Sequence, residues 1–326
     1  MMKSWRQRLE EFWFAAAPPE RLAMLRIAVG AFALYYIGAR YDMLMKIAGT
    51  DASLFDPVGL AVFPGRPLAV GLFQAILIAT LLANGAFVLG WRFRITGPLF
   101  GLLLMWLLCY RNSWSMIFHS DNAMVMHAMI LGLSRAGDAW SLDAMRRRTT
   151  ASTEMSSEAG WQYGWPIRLI CAVTTATYFL SGVAKLAAQG LGWASGEALR
   201  AQVAVDSLRK ELLGEGAPAL AYALYDEIWL FAILGAGTLV FELGAPLALL
   251  HKRSGRIWAA QVWLMHVGIF FVMGISFRYQ LTGLIFLSFF DAERWVAWAA
   301  ERPRIARLFA SRKTKSPIRS TPAEAA

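Results

Sequence analysis

LAVGLFQAILIATLLANGAFVLG, running from Leu68 to Gly90, contains no Asp, Glu, Lys or Arg. A transmembrane helix needs about 20 mostly apolar residues to cross roughly 30 Å of hydrocarbon, and this stretch exceeds that. Composition extends the reading to the whole chain. Of 326 residues, 57% are hydrophobic and 17% charged, where a soluble chain carries about 25% charged residues. There is too little polar material to cover a water-facing surface. Disorder, a collagen repeat and a disulfide-stapled secreted module are excluded by the same composition. The formal charge of +10 falls between apolar stretches, so it reads as membrane topology, and no nucleic-acid partner is expected.

Eight spans are predicted: 22–39, 68–90, 95–110, 116–133, 167–187, 228–250, 257–276 and 279–299. The fourth is weakened by polar groups at His119, Ser120, Asp121, Asn122 and His127, and the last by Asp291, Glu293 and Arg294. No signal peptide is expected, because the apolar run Phe12–Ala17 is short and Pro18-Pro19-Glu20 ends it. Orientation follows from Lys and Arg. With the N-terminus in the cytoplasm, 21 of the 32 fall inside, among them Arg146–Arg148 and the eight from Arg294 onward, and 8 fall outside. The expectation is an all-α polytopic helix bundle in the plasma (inner) membrane, with the lipid bilayer as its surroundings and both termini cytoplasmic. It divides into a cytoplasmic segment 1–21, a transmembrane domain 22–300 and a basic, disordered cytoplasmic tail 301–326.

Two connections are long. Residues 134–166 lie inside and carry a Ser/Thr/Glu-rich stretch expected to be a flexible loop. Residues 188–227 lie outside, where Ala201, Val205, Leu208 and Leu212 recur at helical spacing. That stripe suits either an amphipathic helix on the outer membrane surface or a helix packed on the bundle. Cys109 and Cys171 are expected near opposite ends of their spans, too far apart for a disulfide.

Ionisable residues in spans are costly and are functional candidates by default. They are His119, Asp121, His127, Lys185, Glu242 and His266, with Arg278 at an outer edge. Five of them fall at or above mid-membrane on the outer side. Each also has a structural reading: Lys185 could snorkel to headgroups, His119 could be interhelical hydrogen-bonding glue, His127 a satisfied bundle histidine, and Glu242 a hydrogen-bond partner. His119 and His127 lie two helical turns apart, too far to share one ion, and no metal is expected.

Ser181-Gly182-Val183-Ala184-Lys185-Leu186, followed by Trp193-Ala194-Ser195-Gly196, resembles the signature of the vitamin K-dependent γ-carboxylase family and its bacterial relatives, the horizontally transferred transmembrane (HTTM) proteins. Other matches keep the same order: Trp140-Ser141-Leu142-Asp143, Glu242, His266 ahead of Met273-Gly274-Ile275, and Phe289-Phe290-Asp291-Ala292-Glu293-Arg294. The resemblance covers about residues 20–300. It implies an integral membrane enzyme that uses a reduced quinone, oxygen and carbon dioxide to carboxylate a peptide glutamate, with Lys185 deprotonating the hydroquinone. An amine needs its pKa lowered towards neutrality to act as a base, and burial beside apolar helix surface does that. Two departures count against the complete carboxylase machinery. The long lumenal region that grips the carboxylase's substrate is not matched, and Asp138-Ala139 stands where the family has a histidine before Trp-Ser-x-Asp.

The expected function is therefore a membrane enzyme acting on a quinone or lipid-linked substrate from the outer leaflet. Lys185 is its base, and His119, Asp121 and His266 are catalytic-site groups that orient substrate. The alternatives are a small-solute transporter and a non-catalytic subunit that docks a cytoplasmic redox protein through residues 134–166.

Overall fold

A computed structural model describes residues 4–114, 116–150 and 158–300. The expected basic tail 301–326 and most of the Ser/Thr/Glu stretch, 151–157, lie outside the described residues. The chain forms two compact units, Met1–Phe290 and Asp291–Ala326. Among the described residues there is no β-strand, only an isolated antiparallel bridge between Ala17 and Gly160. Among the described residues, five helices are long and apolar enough to cross a membrane.

Helix α1 (Trp5–Trp13) starts from a capping box in which Ser4 and Gln7 satisfy each other's backbone N–H groups. Pro18 and Pro19 separate it from α2 (Pro19–Gly38), which is the first long apolar helix and has Pro at its first helical position. The short α3 (Tyr41–Ala48) follows. Helices α4 (Val70–Leu89) and α5 (Phe93–Asn112) form a hairpin. Asp143, from beyond the next helix, closes that hairpin by accepting the Arg92 and Phe93 N–H groups at 2.9 and 2.7 Å.

The predicted fourth span, 116–133, is shorter than expected. A single 3₁₀ turn, His119–Asp121, leads into α6 (Asn122–Gly132), which is too short to cross the membrane alone. The polar groups at 119–122 supply the turn instead of another helical turn. Helix α6 packs tightly on α5, because a Cβ on Gly132 would overlap the Gly97 carbonyl and one on Gly101 would lie 3.2 Å from Met129. Gly97 and Gly101 are four apart, the small-residue spacing that lets membrane helices meet backbone to backbone.

After α7 (Leu142–Thr150), α8 (Trp161–Gln189) runs for 29 residues through the centre of the bundle. Three of its aliphatic hydroxyls bond within the helix: Thr174, Thr177 and Ser181 each donate to the carbonyl four residues back. Outside the spans, α9 (Glu197–Leu212) and α10 (Ala219–Leu224) form a cap. The Glu211 carboxyl there is held below its ordinary pKa by the Ala217 N–H and the Tyr222 hydroxyl. Helix α9 packs on the bundle through a face other than its apolar stripe. Ala201, Val205, Leu208 and Leu212 all face outward, while Val203, Asp206, Ser207 and Lys210 are buried against the bundle. Lys210 pairs with Asp206 at 2.7 Å and also donates to the Met273 carbonyl at the end of α12 (Lys252–Met273). A cation on the last carbonyl of a helix is the favourable end of the dipole.

The sixth predicted span, 228–250, is interrupted. Helix α11 (Ile228–Leu243) stops before a 3₁₀ stretch, Ala245–Leu249. Pro246 has no N–H to offer the Glu242 carbonyl four residues back, so the helix cannot continue. The freed Phe241 carbonyl accepts from the Trp258 indole at 2.9 Å.

The eighth predicted span, 279–299, is not one helix. Its first part consists of α13 (Arg278–Leu281) and a 3₁₀ stretch, Leu284–Phe289. This segment descends beside α12. Phe277 meets the His266 ring, the Leu281 carbonyl accepts from Trp263, and the Phe289 carbonyl accepts from Arg256. Tyr279, Gln280 and Ile285–Ser288 are buried. Non-helical backbone at membrane depth is tolerable only where protein surrounds it. In the second unit, α14 (Glu293–Ala300) leaves Trp295 and Trp298 exposed.

Candidate functional site

Lys185 lies in the last turn of α8, and the chain beyond it turns back onto α11. The Trp193 backbone packs against Gly235, two turns into α11, so closely that a Cβ at Gly235 would overlap the Trp193 carbonyl. Gly182 performs the same service one turn below Lys185: a Cβ there would stand 3.0 Å from Glu242 Cβ and 3.1 Å from Leu243. The small residues of the Ser-Gly-Val-Ala-Lys-Leu element thus draw α8 and α11 together. Lys185 Nζ donates to Glu242 Oε1 as an ion pair, with 22% of the lysine side chain and 4% of the glutamate side chain exposed. The ammonium also lies 5.2 Å from the centre of the Trp193 ring, within cation–π range.

The opposite side of the pair is aromatic. Tyr178 stands seven residues before Lys185, on the same face of α8, and packs edge-on against Trp258 and His266 at 5.4 and 5.7 Å. His266 Nδ1 lies 2.9 Å from the Val262 carbonyl. A carbonyl only accepts, so Nδ1 carries the hydrogen and neutral His266 presents its lone pair at Nε2. Of the buried side-chain atoms that lack hydrogen-bond partners among the described residues, two lie here, Glu242 Oε2 and the Tyr178 hydroxyl. Unmet acceptor and donor capacity is costly in such surroundings.

The other expected site residues are placed differently. Asp121 pairs with Arg111 at 2.8 Å and accepts the Tyr36 hydroxyl at 2.6 Å. Arg111 also bonds Asn112 Oδ1 at 2.9 Å and covers the Phe118 ring. These contacts tie Asp121 to α2 and α5 and none joins it to Lys185. His119 opens the turn that ends at Asp121. His127 is fully engaged. The Thr174 hydroxyl gives its only hydrogen to Ile170, so His127 Nε2–H donates to Thr174 at 3.0 Å and Nδ1 accepts from Tyr279 at 2.9 Å. Among the described residues, no three His, Cys, Asp or Glu side chains gather where a metal ion could sit.

The structure therefore adds Tyr178 and makes Glu242 the direct partner of Lys185. The seven-residue interval from Tyr178 to Lys185 was the available signal for the tyrosine. Nothing in the sequence could pair the lysine with one particular acid on another helix.

A family model described as the HTTM domain matches residues 14–295. The chain belongs to the HTTM family. Membership supports the carboxylase-like relationship read from the Ser181–Leu186 element, and with the apolar helices it makes the chain a multi-pass membrane protein. No curated protein and no solved structure matches this HTTM chain.

Proposed function

We propose that this HTTM protein is a membrane enzyme that takes a proton from a quinone or lipid-linked substrate entering from the outer leaflet, with Lys185 as base. The observation that carries the reading is the Lys185–Glu242 pair beside two polar atoms, Glu242 Oε2 and the Tyr178 hydroxyl, that have no partner among the described residues. An ammonium paired with a carboxylate is not a base. In a low-dielectric setting, however, the desolvation cost narrows the gap between the ion pair and the neutral pair. When Glu242 Oε1 takes the proton across their shared hydrogen bond, the lysine nitrogen is left with its lone pair. Tyr178 O–H is a donor for a substrate oxygen, and His266 Nε2 is an acceptor for a substrate hydroxyl.

A planar hydroxylated ring suits these groups, since Trp193, Trp258 and Phe286 supply apolar faces around them. When bound, a reduced quinone would supply acidic hydroxyls and two electrons for an oxidant. Asp121 in this reading holds the outer turn in place through Arg111, and His119 remains an orienting group at that turn. The basic segments are assigned to the cytoplasmic face of the plasma membrane, with both termini inside.

Mass spectrometry of lipids extracted with the purified protein is the test. A quinone is expected with the wild type, lost in Lys185→Ala and reduced in Tyr178→Phe. Extracts without a quinone, or with the same amount from every variant, would remove the proposal. Solute uptake by proteoliposomes that depends on His266 would replace it with transport.

A further inference from the structure

At the other end of α8, about 30 Å from Lys185 at 1.5 Å per residue, a cavity of about 430 Å³ opens between the start of α5, the turn after α6, α7 and the start of α8. Its volume falls in the usual range for small-ligand sites, about 300–1,000 Å³. Its frame is rigid. Arg26, fully buried in α2, donates to the carbonyls of Ala136, Ala139 and Trp140 and so pins the turn that forms one wall. Gly132, at the close contact with Gly97, fixes another wall.

The charges around the cavity are unequal in what they can still bind. Arg94, Arg135, Arg147, Asp138 and Asp143 all line it. Both acids are occupied by the protein. Asp143 accepts the two backbone N–H groups that start α5, and Asp138 accepts from Arg147 at 3.3 Å and from Tyr163 at 3.2 Å. Among the described residues, the Arg94 and Arg135 guanidinium groups make no hydrogen bond or ion pair, and the Arg147 Nε is buried without a partner. Free donor capacity thus remains on the arginines. Planar guanidinium forks match phosphate oxygens two at a time. Beside them stand Trp161 and Leu133, 57% and 66% exposed, and exposed Trp at the end of a span sits at headgroup level.

We propose that this cavity is a binding site for a phosphate-bearing anion, either the headgroup of an anionic phospholipid or a free phosphate compound. The arginines take the phosphate oxygens, and the Trp161–Leu133 side accommodates an acyl chain when the ligand is a lipid. Basic pockets between helices on the positively charged side of a membrane protein recognise headgroups in this way. The proposal uses no residue of the Lys185 site and stands or falls separately from it.

The full chain in nanodiscs of phosphatidylcholine with a minor fraction of phosphatidylglycerol provides the test, with retained lipid read by native mass spectrometry. Wild type is expected to keep phosphatidylglycerol preferentially. Arg94→Gln/Arg135→Gln should lower that preference about tenfold, as loss of charge-assisted phosphate bonds requires. Arg148→Gln/Arg253→Gln, which removes equal charge outside the cavity, should leave it unchanged. Competition by inorganic phosphate or glycerol phosphate identifies the free compound as the ligand, and its failure identifies the lipid. Should the first variant not fold, phosphatidylglycerol with a photoreactive headgroup on the wild type must label residues 132–138 or 161–165. Equal retention of both lipids, equal loss in both variants, or labelling confined to other segments overturns the proposal.

Discussion

Lys185 and Glu242 carry the sharpest expectation. Removing one partner of a buried pair strands the other charge, typically at about 3–5 kcal/mol, and the lysine's residual exposure lowers that to about 2–3 kcal/mol here. Lys185→Ala and Glu242→Gln should each destabilise the protein in thermal unfolding in detergent. Lys185→Met/Glu242→Leu should recover at least half of the loss, because no charge is then stranded. Additive losses in the double variant would show that the two groups do not form one unit. Arg26 is the counterpart at the opposite end. Three carbonyls depend on its guanidinium, so Arg26→Gln should cost about 3 kcal/mol or more by leaving buried acceptors unmet. Arg26→Lys should not rescue it, since a single ammonium lacks the planar fork. Melting temperatures that match the wild type in either variant would refute this account.

Among the elements, α9 is unusual in turning its apolar stripe away from the bundle. Leu208→Asp, at a position 61% exposed, should leave unfolding in detergent within about 0.5 kcal/mol of the wild type. Val203→Asp, at a position 1% exposed, should be severely destabilising because it buries an unpaired charge. Liposome reconstitution should reverse the emphasis for Leu208→Asp, since a helix lying on the outer leaflet loses apolar area there. Equal stability of the two variants in detergent would mean that the faces of α9 have been exchanged. The repeat of Ala201, Val205, Leu208 and Leu212 was visible as a pattern. Which way it pointed was not, because an apolar stripe satisfies a lipid surface as well as a protein one. The interrupted sixth and eighth spans have a related cause. Hydropathy registers that residues 228–250 and 279–299 are apolar, yet the 3₁₀ stretches Ala245–Leu249 and Leu284–Phe289 show that apolar sequence need not form one continuous α-helix.

For the molecule as a whole, the proposed orientation puts residues 134–166 in the cytoplasm and 188–227 outside. Impermeant thiol labelling of intact cells should therefore reach Glu215→Cys and spare Arg148→Cys until the membrane is opened. The opposite pattern would invert the topology and move the Lys185 site to the inner leaflet. Membrane residence, helical class and family could all be read from the chain by itself, because each rests on local facts: apolar run length, charge between runs, and the ordered elements around Lys185, Trp193 and His266. Lys185 and His266 were likewise recognisable one at a time, as ionisable groups in apolar surroundings. Their partners were not. Lys185 meets Glu242 only because Gly182 and Gly235 let α8 and α11 approach, and Asp121 is drawn to Arg111 and Tyr36 by the packing of α2, α5 and α6. Pairing between helices depends on crossing geometry and depth, and those quantities exist only once the bundle has assembled.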